Sequence, residues 1–161
     1  HCAIKIARAL GAHVVGFTSK ESKREELLKL GANEVVVGSA PEALAPYATS
    51  LNVIINTISA VIDIVPYLGL LALKGEFVCV GAPPQPLAVP PIALFFRNLS
   101  ISGSLVGGIK GTQDMLDLCA KHKVGAEIEL IKMEDVNKAL DRLQVGDVRY
   151  RFVIDVQNST Y

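Results

Sequence analysis

The residues best suited to chemistry follow a short apolar run near the start of this 161-residue chain. The run 14–17 ends at two hydroxyl side chains, Thr18 and Ser19. Three cations come directly after them: Lys20, Lys23 and Arg24. Hydroxyls and cations gathered where a strand gives way to a helix are suited to an anion such as a phosphate.

A second interpretation of the same residues is structural. Thr18 and Glu21 match the T-x-x-E capping box that begins many helices. Lys23 and Arg24 would then belong to a solvated helix face. The residues taken alone leave both interpretations open.

The elements that would position these residues alternate along the chain. Four apolar runs predict strands, at 14–17, 35–37, 53–55 and 77–80. The runs are nearly continuous, which is typical of parallel strands covered on both faces. Helical patterns fill the intervals at 2–10, 20–30 and 60–73, the last with Pro66 as a kink or boundary. This alternation predicts right-handed βαβ units in a doubly wound parallel sheet.

A proline-rich loop at 82–91 interrupts the alternation. After it the pattern predicts a helical turn at 92–96 and a strand at 99–104. The remainder reads as helix, strand, helix and strand, at 112–123, 127–131, 133–143 and 150–156.

The end of the first predicted strand also bears on the choice of ligand. Doubly wound sheets bind ligands at the carboxyl ends of their strands, and a dinucleotide fold has a glycine-rich turn before its first helix. The expected spacing of about 20 residues to the end of the next strand fits if that turn lay just before His1. Where NAD-binding folds place an acidic residue, this chain has Thr18 and Ser19. In a dinucleotide fold this favours NADP, whose ribose carries a 2′-phosphate.

Composition narrows the class of protein. The chain has 16 Lys+Arg, 16 Asp+Glu and 50% hydrophobic residues, too apolar for a disordered segment. Its neutral balance argues against a nucleic-acid partner. The most apolar stretch, 64–73, is shorter than the roughly 20 residues of a membrane helix, so no membrane association is expected. Cys2, Cys79 and Cys119 form no C-x-x-C pair, which predicts buried, reduced thiols and a cytoplasmic location.

Four stretches together resemble one enzyme family. They are AIKIARALGAHVVGFTSKESKREELLKLGANEVV, GEFVCVGAP, ISGSLVGG and TQDMLDLCAKHKVGAEIELIKMEDVNKALDRLQVGDVRYRFVIDV. The resemblance is to the C-terminal, cofactor-binding portion of zinc-dependent medium-chain alcohol dehydrogenases, in the cinnamyl alcohol dehydrogenase-like branch that uses NADP. It implies that residues 1–108 are a partial NADP-binding Rossmann domain lacking its first strand and glycine-rich turn. Residues 109–161 would return to a GroES-like catalytic domain that precedes the chain.

The resemblance implies where the adenosine half of the cofactor would bind. Thr18, Ser19 and Lys23 match positions that hold the 2′-phosphate, although Phe17 replaces a hydroxyl common in that branch. Thr57 matches a position at the adenosine side or the ribose.

The remaining implied contacts are with the diphosphate and the nicotinamide half. Arg151 matches an arginine near the pyrophosphate. The turn expected at the nicotinamide ribose consists of Val80, Gly81 and Ala82, where glycine permits close backbone approach. The segment expected at the carboxamide consists of Ser104, Leu105 and Val106. Without the resemblance, Val80, Leu105 and Val106 would be interpreted as ordinary core.

The implied activity is hydride transfer between NADP(H) and a primary alcohol or aldehyde, aromatic or aliphatic. Zinc would act as the Lewis acid, held by the preceding half of the enzyme, so the chain is expected to have no catalytic or metal-binding residue and no activity alone. The strand at 99–104 would join two subunits in a homodimer. A chain without its central strand is also expected to be marginally stable and prone to aggregation.

Two other functions stay open at the level of sequence. One is a zinc-free, quinone-reductase-like relative with the same cofactor domain. The other is a non-catalytic nucleotide-sensing module, which would need a complete glycine-rich turn to bind by itself.

Overall fold

The first two strands of the chain pair in parallel, in a computed structural model that describes residues 1–159. The elements are α1 (Cys2–Ala9), β1 (Val15–Thr18), a 3₁₀ turn (Glu21–Lys23), α2 (Arg24–Lys29) and β2 (Glu34–Val37). Val15 lies opposite Glu34 and Thr18 opposite Val37. The predicted βαβ unit is therefore confirmed, with Thr18 at the carboxyl end of its first strand.

A second sheet contains three parallel strands in the order β3-β4-β5. Its elements are α3 (Pro41–Leu44), a 3₁₀ turn (Ala45–Tyr47), β3 (Leu51–Asn56), α4 (Val65–Leu68), β4 (Leu71–Cys79), α5 (Ile92–Phe95) and β5 (Ser100–Gly103). Ile54 lies opposite Phe77, which lies opposite Ile101. The three carboxyl ends therefore meet at one edge of this sheet.

The predicted helix at 60–73 is wrong over most of its length. Only Val65–Leu68 is helical, with Pro66 in its first turn, and β4 begins at Leu71. Ile64, Leu68 and Leu71 are buried at spacings of four and three residues, which is a helical period, so the apolar spacing does not show that the helix ends at Leu68. Pro66 marks a boundary because a first turn needs no backbone N–H at that position.

The last part of the chain follows the predicted order of helix, strand, helix and strand. Its elements are α6 (Ile109–His122), β6 (Glu129–Ile131), a 3₁₀ turn (Met133–Asp135), α7 (Val136–Gln144) and β7 (Phe152–Ile154). Strands β6 and β7 form a separate parallel pair. Residues 160 and 161, the end of the predicted segment 109–161, lie outside the described residues.

Polar and ring contacts join this last segment to the first helices. Lys5 Nζ of α1 lies 2.7 Å from Glu127 Oε1. The ring of His1 stacks on that of Tyr150 with centroids 4.5 Å apart. The C-terminal segment therefore lies against the start of the chain.

Two buried clusters form the core. One consists of Ile64, Leu68, Leu71, Phe77 and Leu99. The other is built on Val36, Leu44 and Leu70, and Phe17 of β1 and Ile54 of β3 both pack against it. The first two sheets thus share a core, although β1 and β3 do not pair and no strand among residues 1–159 lies between them. The predicted parallel α/β fold, in which these two strands lack a shared neighbour, is confirmed.

The cysteine prediction is correct only in part. Cys2, Cys79 and Cys119 are free thiols, but each is half-buried rather than buried. Cys2 begins α1 and Cys79 ends β4, where elements emerge from the core. Within the described chain, no helix has the length and apolar character needed to cross a bilayer.

Candidate functional site

The carboxyl ends of β3, β4 and β5 bring three predicted contact regions together. Asn56 lies opposite Cys79, which lies opposite Gly103. The residues that follow these strand ends, Thr57, Val80 and Ser104, therefore emerge at the same edge of the sheet. The backbone N–H of Ser104 donates to the Cys79 carbonyl at 3.0 Å, which extends the β4–β5 pairing by one residue.

Asn56 holds two of these regions against each other. Its carbonyl accepts hydrogen bonds from the N–H groups of Val80 and Gly81, each at 3.0 Å. Its side-chain Oδ1 accepts a third from the N–H of Ile58 at 3.1 Å. The residue is only 6% exposed, and a buried amide is stable only when it is hydrogen-bonded. The sequence interpretation missed Asn56, although a polar residue at the end of an apolar strand was a usable signal.

Gly81 lies so close to the segment after β3 that no side chain fits. A Cβ atom at this position would stand 2.3 Å from the carbonyl oxygen of Ile58 and 2.5 Å from its carbon. The close approach at Gly81 in this structure is to the backbone of Ile58. Contact of this turn with a nicotinamide ribose stays a prediction.

The core interpretation of the apolar residues at this edge is wrong. Val80 is 44% exposed, Leu105 91% and Val106 88%. Thr57 and Ala82 are exposed as well. These residues follow strand ends, where the chain leaves the sheet and no helix of the described structure covers them. They leave an open surface of apolar and hydroxyl groups beside the Asn56 turn.

At the end of β1, the capping-box interpretation is also wrong. Thr18 Oγ1 accepts a hydrogen bond from the N–H of Lys20 at 3.2 Å, two residues ahead rather than three. The helical segment here begins with a 3₁₀ turn at Glu21, and the N–H group that Thr18 Oγ1 binds is that of Lys20, just before this turn. The Thr18 hydroxyl therefore closes a local Ser/Thr turn instead of capping a helix. Glu21 does not reach back, because both of its carboxylate oxygens accept hydrogen bonds from Arg24.

The cations at the end of β1 divide into two kinds. Arg24 is held by Glu21 and donates from Nη1 to the Val35 carbonyl at 2.8 Å. Hydrogen bonding to the Arg24 guanidinium lowers the pKa of the Glu21 carboxyl. Lys20 and Lys23 have no ion pair with any residue in the range 1–159, so their charge is available beside Thr18 and Ser19. Thr18 ends β1, Ser19 follows it, and Lys23 ends the 3₁₀ turn after them. That these three residues bind a phosphate stays a prediction.

Arg151 lies elsewhere, beside the first turn of α1. Its side chain is exposed, and Nη2 is 3.7 Å from the sulfur of Cys2. The neighbouring Tyr150 stacks on His1, the residue that precedes α1. An arginine beside a helix N-terminus adds to the positive potential of the free N–H groups there.

The side chains that bind metals do not converge. Among residues 1–159, no group of three or more His, Cys, Asp or Glu side chains could hold an ion. Zinc needs four ligands, of which three or four come from the protein, so the described residues do not fit a zinc site.

Comparison with known families decides which proteins this chain is related to. Residues 1–121 match the family model described as zinc-binding dehydrogenase. The chain belongs to the zinc-binding dehydrogenase family. The matched residues include every predicted contact position except Arg151.

Two curated relatives are each 46% identical to this chain over 160 residues. They are mannitol dehydrogenase of Petroselinum crispum and probable cinnamyl alcohol dehydrogenase 9 of Arabidopsis thaliana. Each comparison covers 99% of this chain but only 48% and 44% of the respective relatives. The chain thus spans about half the length of the curated relatives that it matches.

Solved structures of this family agree on the fold. A cinnamyl alcohol dehydrogenase from Sorghum bicolor is 42% identical with a TM-score of 0.91, over 98% of this chain and 45% of that one. The cinnamyl alcohol dehydrogenase of Helicobacter pylori, solved in complex with NADP(H), is 34% identical with a TM-score of 0.83 over the same shares. The chain therefore has the Rossmann-like α/β fold of the nucleotide-binding part of medium-chain alcohol dehydrogenases.

Proposed function

We propose that this chain is the cofactor-binding part of an alcohol oxidoreductase that uses NADP(H). Its reaction is hydride transfer between the nicotinamide and a primary alcohol or aldehyde, aromatic or aliphatic. The observation that carries the proposal is the end of β1, where hydroxyls and unpaired lysines stand in place of an acidic residue. The similarity to cinnamyl alcohol and mannitol dehydrogenases supports the class of substrate.

Thr18, Ser19 and Lys23 are assigned to the 2′-phosphate. The exposed Ser19 hydroxyl can donate to a phosphate oxygen, and Thr18 shapes the turn that presents it. Lys23 supplies a positive charge that no carboxylate of the described chain neutralises. A phosphate with nearly two negative charges gains more from such a site than a ribose hydroxyl does.

The other cofactor contacts are assigned to the edge of the second sheet and to α1. Thr57 would contact the adenosine side or the ribose, and Arg151 the pyrophosphate beside α1. The nicotinamide end is assigned to Val80, Gly81, Ala82, Ser104, Leu105 and Val106, which follow β4 and β5. When bound, NADP(H) supplies the hydride, and the residues of this chain bind and orient it.

Zinc chemistry is assigned to parts of the enzyme outside this chain. The side chains described here offer no zinc ligand set, so the proposal gives this chain no part in metal catalysis. The isolated chain is then expected to produce no NADPH from NADP and a benzylic or cinnamyl alcohol. Turnover by the pure chain would contradict this division of roles.

A homodimer through β5 is part of the proposal. Among residues 1–159 this strand is an edge of its sheet, with β4 on one side only, so its outer N–H and C=O groups would be available to pair with a second copy. Sedimentation equilibrium should give about twice the chain mass of 17.2 kDa. A mass of one chain at all concentrations would contradict it.

We also propose a cytoplasmic location. The support is the set of three unpaired thiols, because reducing compartments preserve free cysteines. Imaging of the tagged full-length protein tests this, and an extracellular or luminal signal would contradict it.

Cofactor preference is the decisive test of the proposed function. Calorimetric titration of the full-length protein should show that 2′,5′-ADP binds at least about tenfold more tightly than 5′-AMP, a difference of about 1.4 kcal/mol. The advantage should shrink as salt is raised, because it comes from exposed charges. Equal affinities would contradict the assignment of Thr18, Ser19 and Lys23 to a phosphate.

A further inference from the structure

One carboxylate lies inside the turn proposed to bind the 2′-phosphate. Glu21 begins the 3₁₀ turn two residues after Ser19, and the unpaired Lys23 ends that turn. A carboxylate near this strand end would accept a hydrogen bond from a free ribose 2′-hydroxyl, as acidic residues do in NAD-binding folds. It would also repel a phosphate. The turn therefore contains a group that opposes its proposed ligand.

Arg24 occupies both oxygens of that carboxylate. Its Nε donates to Oε1 of Glu21, and its Nη2 donates to Oε2 at 3.2 Å. This bidentate arrangement is the strongest geometry available to a guanidinium and a carboxylate. It leaves the Glu21 carboxylate with less capacity to accept a bond from a ribose.

A third hydrogen bond fixes where Arg24 holds the carboxylate. Nη1 donates to the carbonyl of Val35 at 2.8 Å, and Val35 is a buried residue of β2 that lies opposite Gly16 of β1. The guanidinium is thus tied to the sheet on one side and to Glu21 on the other. A lysine has no planar fork and cannot make these three contacts together.

We propose that Arg24 determines cofactor specificity by acting through Glu21. By holding the carboxylate, Arg24 withholds it from the adenosine ribose and leaves Lys20 and Lys23 to set the charge of the turn. The site then favours a 2′-phosphate over a 2′-hydroxyl. This inference rests on the proposed function, and Arg24 is a positioning residue in it because its three donor contacts are to the protein.

The expected change in ligand preference is limited because the Glu21 and Arg24 side chains are exposed to solvent. The Glu21 side chain is 69% exposed and that of Arg24 41%, so water and salt screen both charges. A change of several-fold in ligand preference is therefore expected rather than a change of several orders of magnitude.

The test compares the affinities of the full-length protein and its variants for 2′,5′-ADP and 5′-AMP. Arg24→Gln should lower the preference for 2′,5′-ADP about three- to tenfold and leave 5′-AMP binding unchanged or tighter. Arg24→Lys keeps the charge but loses the fork, and should give an intermediate preference. A purely structural role would weaken both ligands equally and leave their ratio unchanged.

Matched variants distinguish an effect of the Glu21–Arg24 ion pair from an effect of the net charge of the protein. Lys110→Gln removes one positive charge from an exposed ion pair with Asp114 on α6 and should leave the ratio unchanged. Glu21→Gln removes the opposing carboxylate and frees Arg24, so it should raise the ratio. Glu25→Gln makes the same charge change on an exposed neighbour and should raise it less.

The outcomes distinguish this inference from the proposed function. If the unmodified full-length protein binds both ligands equally or neither, the assignment to NADP fails and the role of Arg24 fails with it. If the unmodified protein prefers 2′,5′-ADP but Arg24→Gln keeps the same ratio, only the role of Arg24 is overturned. If circular dichroism shows that Arg24→Gln does not fold, Glu21→Gln decides, and a ratio no higher than that of Glu25→Gln overturns the inference.

Discussion

The two ends of the proposed cofactor site are built in different ways. At the end of β1, exposed side chains such as Ser19 and Lys20 sit on a turn fixed by local hydrogen bonds. At the ends of β3 and β4, the buried Asn56 and the crowded Gly81 lock backbone against backbone. Changes at the first end should therefore alter ligand affinity, whereas changes at the second should alter folding.

The largest effect is expected at Gly81. Gly81→Ala places a methyl group 2.3 Å from the Ile58 carbonyl oxygen, so one of the two turns must move, at a cost of about 3 kcal/mol in unfolding free energy. Urea denaturation followed by circular dichroism measures this loss. Gly111→Ala is the control, because open space surrounds that position in α6 and alanine favours helix there. Equal stability of the two variants would contradict the claim that the ends of β3 and β4 serve the fold.

A smaller loss of stability is expected at Asn56. Asn56→Leu keeps the number and branching of the side-chain heavy atoms but leaves the partly buried N–H of Ile58 without its acceptor, which costs about 1.5 kcal/mol. Asn52→Leu on the same strand is the control, since Asn52 is exposed and should change stability little. Thermal melts of the two variants compare them directly, and a melting temperature for Asn56→Leu at or above that of Asn52→Leu would refute the locking role.

A change at Lys23 should weaken ligand binding and leave stability unchanged, in contrast to the changes at Gly81 and Asn56. Lys23→Gln should weaken 2′,5′-ADP binding about tenfold, or about 1.4 kcal/mol, while the melting temperature stays the same. Lys29→Gln removes the same charge from the far end of α2 and should bind nearly as the unmodified chain does. Calorimetry measures the first effect and circular dichroism the second. A stability change without an affinity change would show that the β1 end also serves the fold.

The smallest effect concerns acid stability near β2. Glu34 accepts hydrogen bonds from Tyr47 Oη at 2.8 Å and from His13 Nε2 at 2.7 Å. Bonding to Tyr47, and then to His13, lowers the pKa of Glu34 below its ordinary value of 4.5. The folded state therefore binds this proton less tightly than the unfolded state does. Stability from Glu34 is complete above about pH 4.5 and is lost as the pH falls through the lowered pKa.

Midpoints of urea unfolding measured between pH 3 and pH 7 test whether the stabilisation from Glu34 is lost as the pH falls. Glu34→Gln should flatten the decline below about pH 4.5 and lower stability slightly at pH 7. Glu42→Gln on α3 is the control, as an exposed carboxylate in the next helix. A decline as steep in Glu34→Gln as in the unmodified chain would exclude Glu34 as its source.

Much of the fold could be predicted from local pattern. The strands at 14–17, 35–37 and 53–55 and the helix at 2–10 agree closely with the structure because each is bounded by residues that end elements. The strand predicted at 77–80 covers only the last third of β4. The helix predicted at 60–73 is wrong over most of its length, because the buried Ile64, Leu68 and Leu71 keep a helical spacing across the point where the helix ends and β4 begins.

The candidate site also has features that local sequence predicts and features that it does not. By itself the sequence determined which chemical groups end β1, since Thr18, Ser19 and Lys23 are consecutive or nearly so. The partners that hold those groups were decided by the tertiary structure. Arg24 binds Glu21 and Val35 instead of joining a capped helix face, and Gly81 meets Ile58. Local spacing fixes which side chains share a turn, but contacts between distant segments exist only after the sheets have packed on their common core.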